Sequence, residues 1–151
     1  MGATARGTGR AGAAAAATEG TQSVIRALRG ATRVDDDERE HVLARTRELV
    51  AAFLDANGLG PDDVVSLLIS ATRDISSVAP AVAARQLGLE STALLCVQEM
   101  AVQGSMPRVI RFMAHVDSDR DRSALHNVYL HGTEVLRADI PPVAAGSGRP
   151  G

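Results

Sequence analysis

VVSLLISATRDISSVAPAVAARQLGLESTALLCV, running from Val64 to Val97, is the stretch whose reading decides the fold. Its opening run, Val64–Ala71, is apolar at nearly every position, which predicts a central strand covered on both faces. Val78–Leu87 predicts a short alanine-rich helix, with Pro80 tolerated in its first turn and Gly88 ending it. Ala93–Val97 predicts another apolar strand. A strand, a helix and a strand in that order imply a right-handed crossover between neighbouring parallel strands, the unit of an α/β fold.

Upstream, Ser23–Thr32 (SVIRALRGAT) reads as a first strand and its exit. The following segment, DDDEREHVLARTRELVAAFLDANG, starts with acids that suit a helix N-terminus. Val42, Leu43, Thr46, Leu49, Val50, Phe53 and Leu54 then recur at helical spacing, and Asn57-Gly58 supplies the stop. By the same rule this strand is expected beside Val64–Ala71. Downstream, Gln98–Pro107 is rich in turn formers, and Arg108–Val116 (RVIRFMAHV) alternates with period two. That alternation sends Ile110, Phe112, Ala114 and Val116 one way and Val109, Arg111, Met113 and His115 the other. Asp117–His126 predicts a polar turn with a short helix, and Thr133–Arg137 a last strand.

These elements bound one domain over residues 23–140. Residues 1–22 carry two arginines ahead of an alanine run, superficially like a signal peptide, but alanine is too weakly hydrophobic to form its apolar core. That extension is expected to be disordered, residues 141–151 to be a flexible tail, and the protein to be cytoplasmic. No apolar run is long enough to span a bilayer, so no membrane partner is expected.

The composition excludes several kinds of chemistry. All 16 positive side chains are arginine, so Schiff-base lysine chemistry and the P-loop lysine are absent. Only Phe53, Phe112 and Tyr129 are aromatic, which leaves no stacking platform for nucleic acid. Residues 23–140 hold thirteen arginines against seventeen acids, so any anion site must be a local cluster. The single cysteine, Cys96, excludes an internal disulfide and every CxxC metal site. His41, His115, His126 and His131 fall in no metal-binding spacing, and neither GxGxxG nor GxxxxGK occurs. No metal or cofactor is therefore expected. Cys96 reads as a small apolar-strand residue, with nucleophilic catalysis as the rival. What remains is a set of arginines in locally costly places: Arg29 at the end of the first strand, Arg85 in the alanine-rich helix, Arg111 in mid-strand and Arg137 at the end of the last strand.

IRALRGATRV (Ile25–Val34), LLISATRDISSVAPAVAARQL (Leu67–Leu87), CVQEMAVQGSMPRVIRFM (Cys96–Met113) and HNVYLHGTEVLRADI (His126–Ile140) resemble, in order and with nearly matching spacing, the AroH-class chorismate mutases. The resemblance implies an α/β (α+β) fold with a mixed five-stranded sheet, a homotrimer forming a pseudo α/β-barrel, and an active site at each subunit interface. It implies that chorismate is rearranged to prephenate, in aromatic amino acid biosynthesis. By that resemblance Arg29 binds a substrate carboxylate, Arg111 faces the ether oxygen, Glu99 and the Cys96 region contact the substrate hydroxyl, and Tyr129 reaches a carboxylate. Arg85 and Arg137 complete the cationic wall, and Leu95, Ala79 and Ala81 line the substrate. Two positions depart from the family pattern: Ala79 replaces a frequent large aromatic and Val82 a frequent lysine, which predicts a more open, less cationic pocket mouth. The alternative from another class is a non-catalytic trimer that holds a carboxylate metabolite; a further rival is a hydrolase or deaminase using Cys96.

A Claisen rearrangement needs no nucleophile, proton carrier or metal, which accords with the missing motifs. It needs a compact substrate conformer and a cation where charge grows on the breaking ether bond, and arginine suits both.

Overall fold

The computed structural model describes residues 22–137. Elements run β1 (Val24–Arg33), α1 (Arg39–Asn57), β2 (Val64–Ala71), α2 (Ala81–Gln86), β3 (Ala93–Gln98), β4 (Val109–Ser118) and β5 (Val128–Tyr129). The strands form one five-stranded sheet in the order β3-β2-β4-β1-β5. It is mixed: β2 pairs with β3 and β1 with β5 in parallel, while β4 is antiparallel to both β1 and β2.

β2–α2–β3 is the expected parallel unit. The expected adjacency of β1 and β2 is not found, because β4 lies between them and bonds to each. The long strand β4 offers both edges to longer ladders than a direct β1/β2 pairing would leave it, and local sequence does not state that choice. Thr133–Arg137 is also not a strand. It forms a 3-10 turn, after Gly132 at φ 84°, and the fifth strand is the two-residue β5. Thr133 explains the turn: its buried hydroxyl donates to Ala31 O at 3.1 Å and Leu130 O at 2.8 Å, tying the segment across the end of β1. The expected extension, residues 1–22, lies outside the described residues except for Gln22, as does the tail beyond Arg137.

α1 buries Val42, Leu43, Thr46, Leu49, Val50 and Phe53, the predicted stripe, against one face of the sheet. α2 packs on that same side, contributing buried Ala81 and Ala84 to the same core. Phe53 meets Phe112 edge to face, with centroids 5.0 Å apart. The Phe112 ring crosses Gly30 on β1, where an added Cβ would lie 2.4 Å from it, so glycine is required for this approach. At the far end of α1, Gly58 takes the left-handed conformation at φ 61°. Buried Asn57 bonds the backbone N–H and C=O of His126, fixing the chain that leads into β5.

Glu38 caps α1, its carboxylate accepting from the backbone N–H of Glu40 at 3.1 Å and of His41 at 3.0 Å. These two bonds hold its carboxyl below its ordinary value. A depressed folded-state value stabilises above the unfolded one and is lost as pH falls through it. Glu38→Ala should therefore lower the melting temperature at pH ~7, and the gap from the parent should close on acidification below pH ~4. Melting curves at both ends of that range check it; a gap unchanged in acid would show that the carboxylate is not the source.

The opposite face of the sheet is open. Val64–Ala71 was expected to be covered on both sides, yet Leu68 is 41% exposed, beside Leu95 at 60% and Met113 at 39%. Strand register aligns these side chains in rows. Leu95, Leu68, Met113 and Arg29 form one row across β3, β2, β4 and β1, and Val97, Ser70, Arg111 and Ala31 form the next.

Candidate active site

Leu68, Met113 and Arg29 of one row, with Val97, Ser70 and Arg111 of the next, form the floor of a cavity of about 240 Å³. Arg29, Leu68, Ser70, Val97, Glu99 and Arg111 line it, and Tyr129, Leu136 and Arg137 close one side. Arg29 and Arg111 stand diagonally across the β1/β4 ladder, because Arg29 pairs with Met113 and Ala31 with Arg111. The alternation read from RVIRFMAHV is thus what turns Arg111 out of the core while Ile110 and Phe112 are buried. Tyr129 reaches the site because β5 pairs beside Ala31, and Arg137 because the Thr133 turn carries the chain back over that edge.

The position of β4 is set by the segment after β2. Thr72 N donates to Val109 O and Thr72 Oγ1 accepts from Val109 N, both at 3.0 Å. Asp74 accepts from the backbone N–H of Arg108, which takes a left-handed φ of 52°. This gives the stretch Ser70-Ala71-Thr72-Arg73-Asp74 a mechanical meaning: its threonine and aspartate fix where β4 begins, and so where Arg111 stands.

Glu99 follows β3 directly, with its N–H bonded to Ala71 O at 2.8 Å. Its carboxylate pairs with Arg111 through two nitrogens: Nε donates to Oε2 at 3.2 Å and Nη2 meets Oε1. Ser70 Oγ donates to the same Oε2 at 2.5 Å. The Arg111 side chain remains 44% exposed while that of Glu99 is 16% exposed, so the carboxylate lies beneath the guanidinium as its seat. A fork held on one edge keeps its remaining N–H groups for an acceptor in the cavity.

Of the residues singled out in the sequence, Arg29, Glu99, Arg111, Tyr129 and Arg137 converge on this cavity. Cys96 and Leu95 do not line it. Cys96 is the register partner of Ile69 and packs on the core side, and Leu95 is exposed in the row next to that of Val97. Arg85, Ala79 and Ala81 belong to α2 and the segment before it, on the covered side of the sheet: Ala81 is buried, while Ala79 and Arg85 are exposed. Sequence reading assigned no site role to Leu68, Ser70, Val97 and Leu136. The signal for Ser70 was present in the alternation of β2, which places it on the same face as Leu68, but it becomes informative only with the β2/β4 register. Among the described residues, no group of three or more His, Cys, Asp and Glu side chains gathers as a metal site. Nor is any described helix long and apolar enough to cross a membrane.

The pattern describing chorismate mutase type I matches residues 25–140. The chain is 40% identical over 118 residues to the chorismate mutase AroH of Bacillus subtilis, covering 78% of this chain and 93% of that protein. It is 37% identical over 118 residues to the chorismate mutase AroH of Thermus thermophilus, covering 78% and 97%. A solved chorismate mutase from Clostridium thermocellum superposes with a TM-score of 0.71 at 41% identity, over 73% of this chain and 98% of that one.

Proposed function

Because the chain belongs to the chorismate mutase type I family, we propose that the arginine-lined cavity on its open sheet face is where chorismate is bound and rearranged. The enzyme is an isomerase that converts chorismate to prephenate, a step toward aromatic amino acids. The reaction breaks one C–O ether bond and forms one C–C bond in the same molecule, so no atom or electron enters or leaves. The observation that carries the assignment to this cavity is the Glu99–Arg111 pair, with Arg111 mid-strand and its fork seated on one edge beside Arg29.

In this reading Arg29, Tyr129 and Arg137 hold the substrate carboxylates and select the compact conformer, while Glu99 meets the substrate hydroxyl. Arg111 points its free N–H groups at the ether oxygen, where negative charge develops as the bond breaks. An interaction strongest in the transition state raises kcat, whereas the carboxylate clamps mainly set binding. Arg85, Ala79 and Ala81 enter the site from a neighbouring subunit and Leu95 along the interface, in a homotrimer that buries the open faces, while the Cys96 region stands with Glu99 at the substrate hydroxyl. The protein acts in the cytoplasm through a domain of residues 23–140, and takes a small-molecule substrate without cofactor, nucleic acid or membrane.

A continuous assay of chorismate disappearance, run with and without a chelator, tests the reaction and its metal independence together. First-order loss to prephenate, unchanged by chelator, is the expected result. Saturable binding of chorismate without turnover would instead support the non-catalytic carboxylate-binding alternative, for which no feature of the site speaks: simple anion capture has no use for a carboxylate under the cation.

A further inference from the structure

We infer that Ser70 is a positioning residue for the rearrangement, acting through Glu99 to hold the Arg111 fork in its working orientation. The inference rests on the role proposed above for Glu99 and Arg111. Ser70 is the register partner of Arg111 on one side and of Val97 on the other, at the centre of the row that floors the cavity. Its hydroxyl has one proton, and that proton is given to Glu99 Oε2 at 2.5 Å. Ser70 is thereby left without a donor for substrate, so its effect must pass through the carboxylate.

Consecutive residues of β2 tether Glu99 at both ends. Ala71 O accepts its backbone N–H at 2.8 Å, and Ser70 fixes its side-chain oxygen. A glutamate side chain has three rotors, and an arginine–carboxylate pair this exposed gains little from Coulomb attraction alone and is readily lost to side-chain freedom. The Ser70 bond removes that freedom from the acid. Oε2 and Oε1 then face Arg111 Nε and Nη2 together, and the opposite edge of the guanidinium is turned into the cavity. Without the hydroxyl the pair can still form, but in several orientations, of which only some aim Arg111 at the breaking bond. Binding, which depends on the carboxylate clamps, is left largely as it was.

The test is a cycle of Ser70→Ala, Glu99→Gln and the double variant in the full-length protein, with Ser70→Thr as the restoring change. Ser70→Ala should lower kcat about tenfold, the scale of one charge-assisted hydrogen bond, with KM within about twofold of the parent. The melting temperature should hardly move. Ser70→Thr, which keeps the hydroxyl and suits a strand, should recover most of the loss. In the Glu99→Gln background Ser70→Ala should add nothing further. If Ser70→Ala failed to fold, Ser70→Cys would carry the same comparison, as a thiol is close in size and a weak donor. A kcat for Ser70→Ala near the parent's alongside an impaired Glu99→Gln would overturn this inference alone. Losses that multiply in the double variant, or a threonine no better than alanine, would overturn it too. A Glu99→Gln enzyme with parental kcat would bring down the reading of the site on which the inference rests.

Discussion

Replacing Arg111 with citrulline, which keeps the shape and removes the charge, should lower kcat by a factor on the order of 10²–10³ and disturb KM far less. The size is that of losing one preorganised transition-state donor, about 3–4 kcal/mol. The site explains why charge should outweigh shape. Glu99 occupies Nε and Nη2, so the neutral isostere can still sit on the same seat, but it no longer presents a cation to the oxygen on which charge accumulates. Citrulline also replaces one nitrogen with a carbonyl oxygen, an acceptor that a developing oxyanion would repel. If Arg111 were instead an ordinary surface ion-pair partner, neutralising it would cost about 1 kcal/mol or less of stability and leave turnover intact. Steady-state kinetics and a melting curve on this one variant distinguish the two, and a kcat within about threefold of the parent would mean that another group stabilises the charge.

The elements legible in the sequence were those with enough residues to display a period. α1 showed its stripe over five turns, β2 its apolar run and β4 its alternation, and the last of these placed Arg111 on the correct face before any pairing was known. Two features had no such signal. β5 is two residues long, too short for any pattern, and exists because Leu130 N and the Thr133 hydroxyl both bond Ala31 O at the edge of β1. The insertion of β4 between β1 and β2 is a decision among distant segments. The crossover rule governs parallel strands that are neighbours, and nothing local in β1 or β2 says that they are not.

The site divides along the same line. Arg29, Arg111 and Arg137 stood out as arginines in locally costly places, Glu99 and Tyr129 were named from a family resemblance, and the fold gathers all five, although Arg137 arrives on a 3-10 turn where a strand was expected. Ser70 stayed unremarked because a serine in a strand is ordinary until register sets it between Arg111 and Val97. The reading of β2 as covered on both faces was made from hydrophobicity, which reports what a surface needs and not which chain supplies it. Leu68, Leu95, Val97 and Met113 are 39–60% exposed on one face of a single subunit, a contiguous apolar area of the sort that marks association.

That open face leads to a result expected from mixing two inactive variants. Arg85 lies with α2 on the covered side of the sheet, and the cavity with Arg111 on the other, so one chain does not bring the two together. If three copies close into a ring over their open faces, each site takes Arg111 from one subunit and Arg85 from its neighbour. Arg85→Ala and Arg111→Ala homotrimers should then each lose most of their activity. After unfolding and joint refolding at equal amounts, about three-quarters of trimers are mixed, and in a closed ring every mixed trimer holds one interface of three with both arginines intact. About one quarter of the parental sites should therefore return, with parental KM, while light scattering gives a particle three times the 15.7 kDa of one chain. A site built within one chain gives no recovery from any mixture, and a fully active particle of single-chain mass would dispose of the shared site altogether.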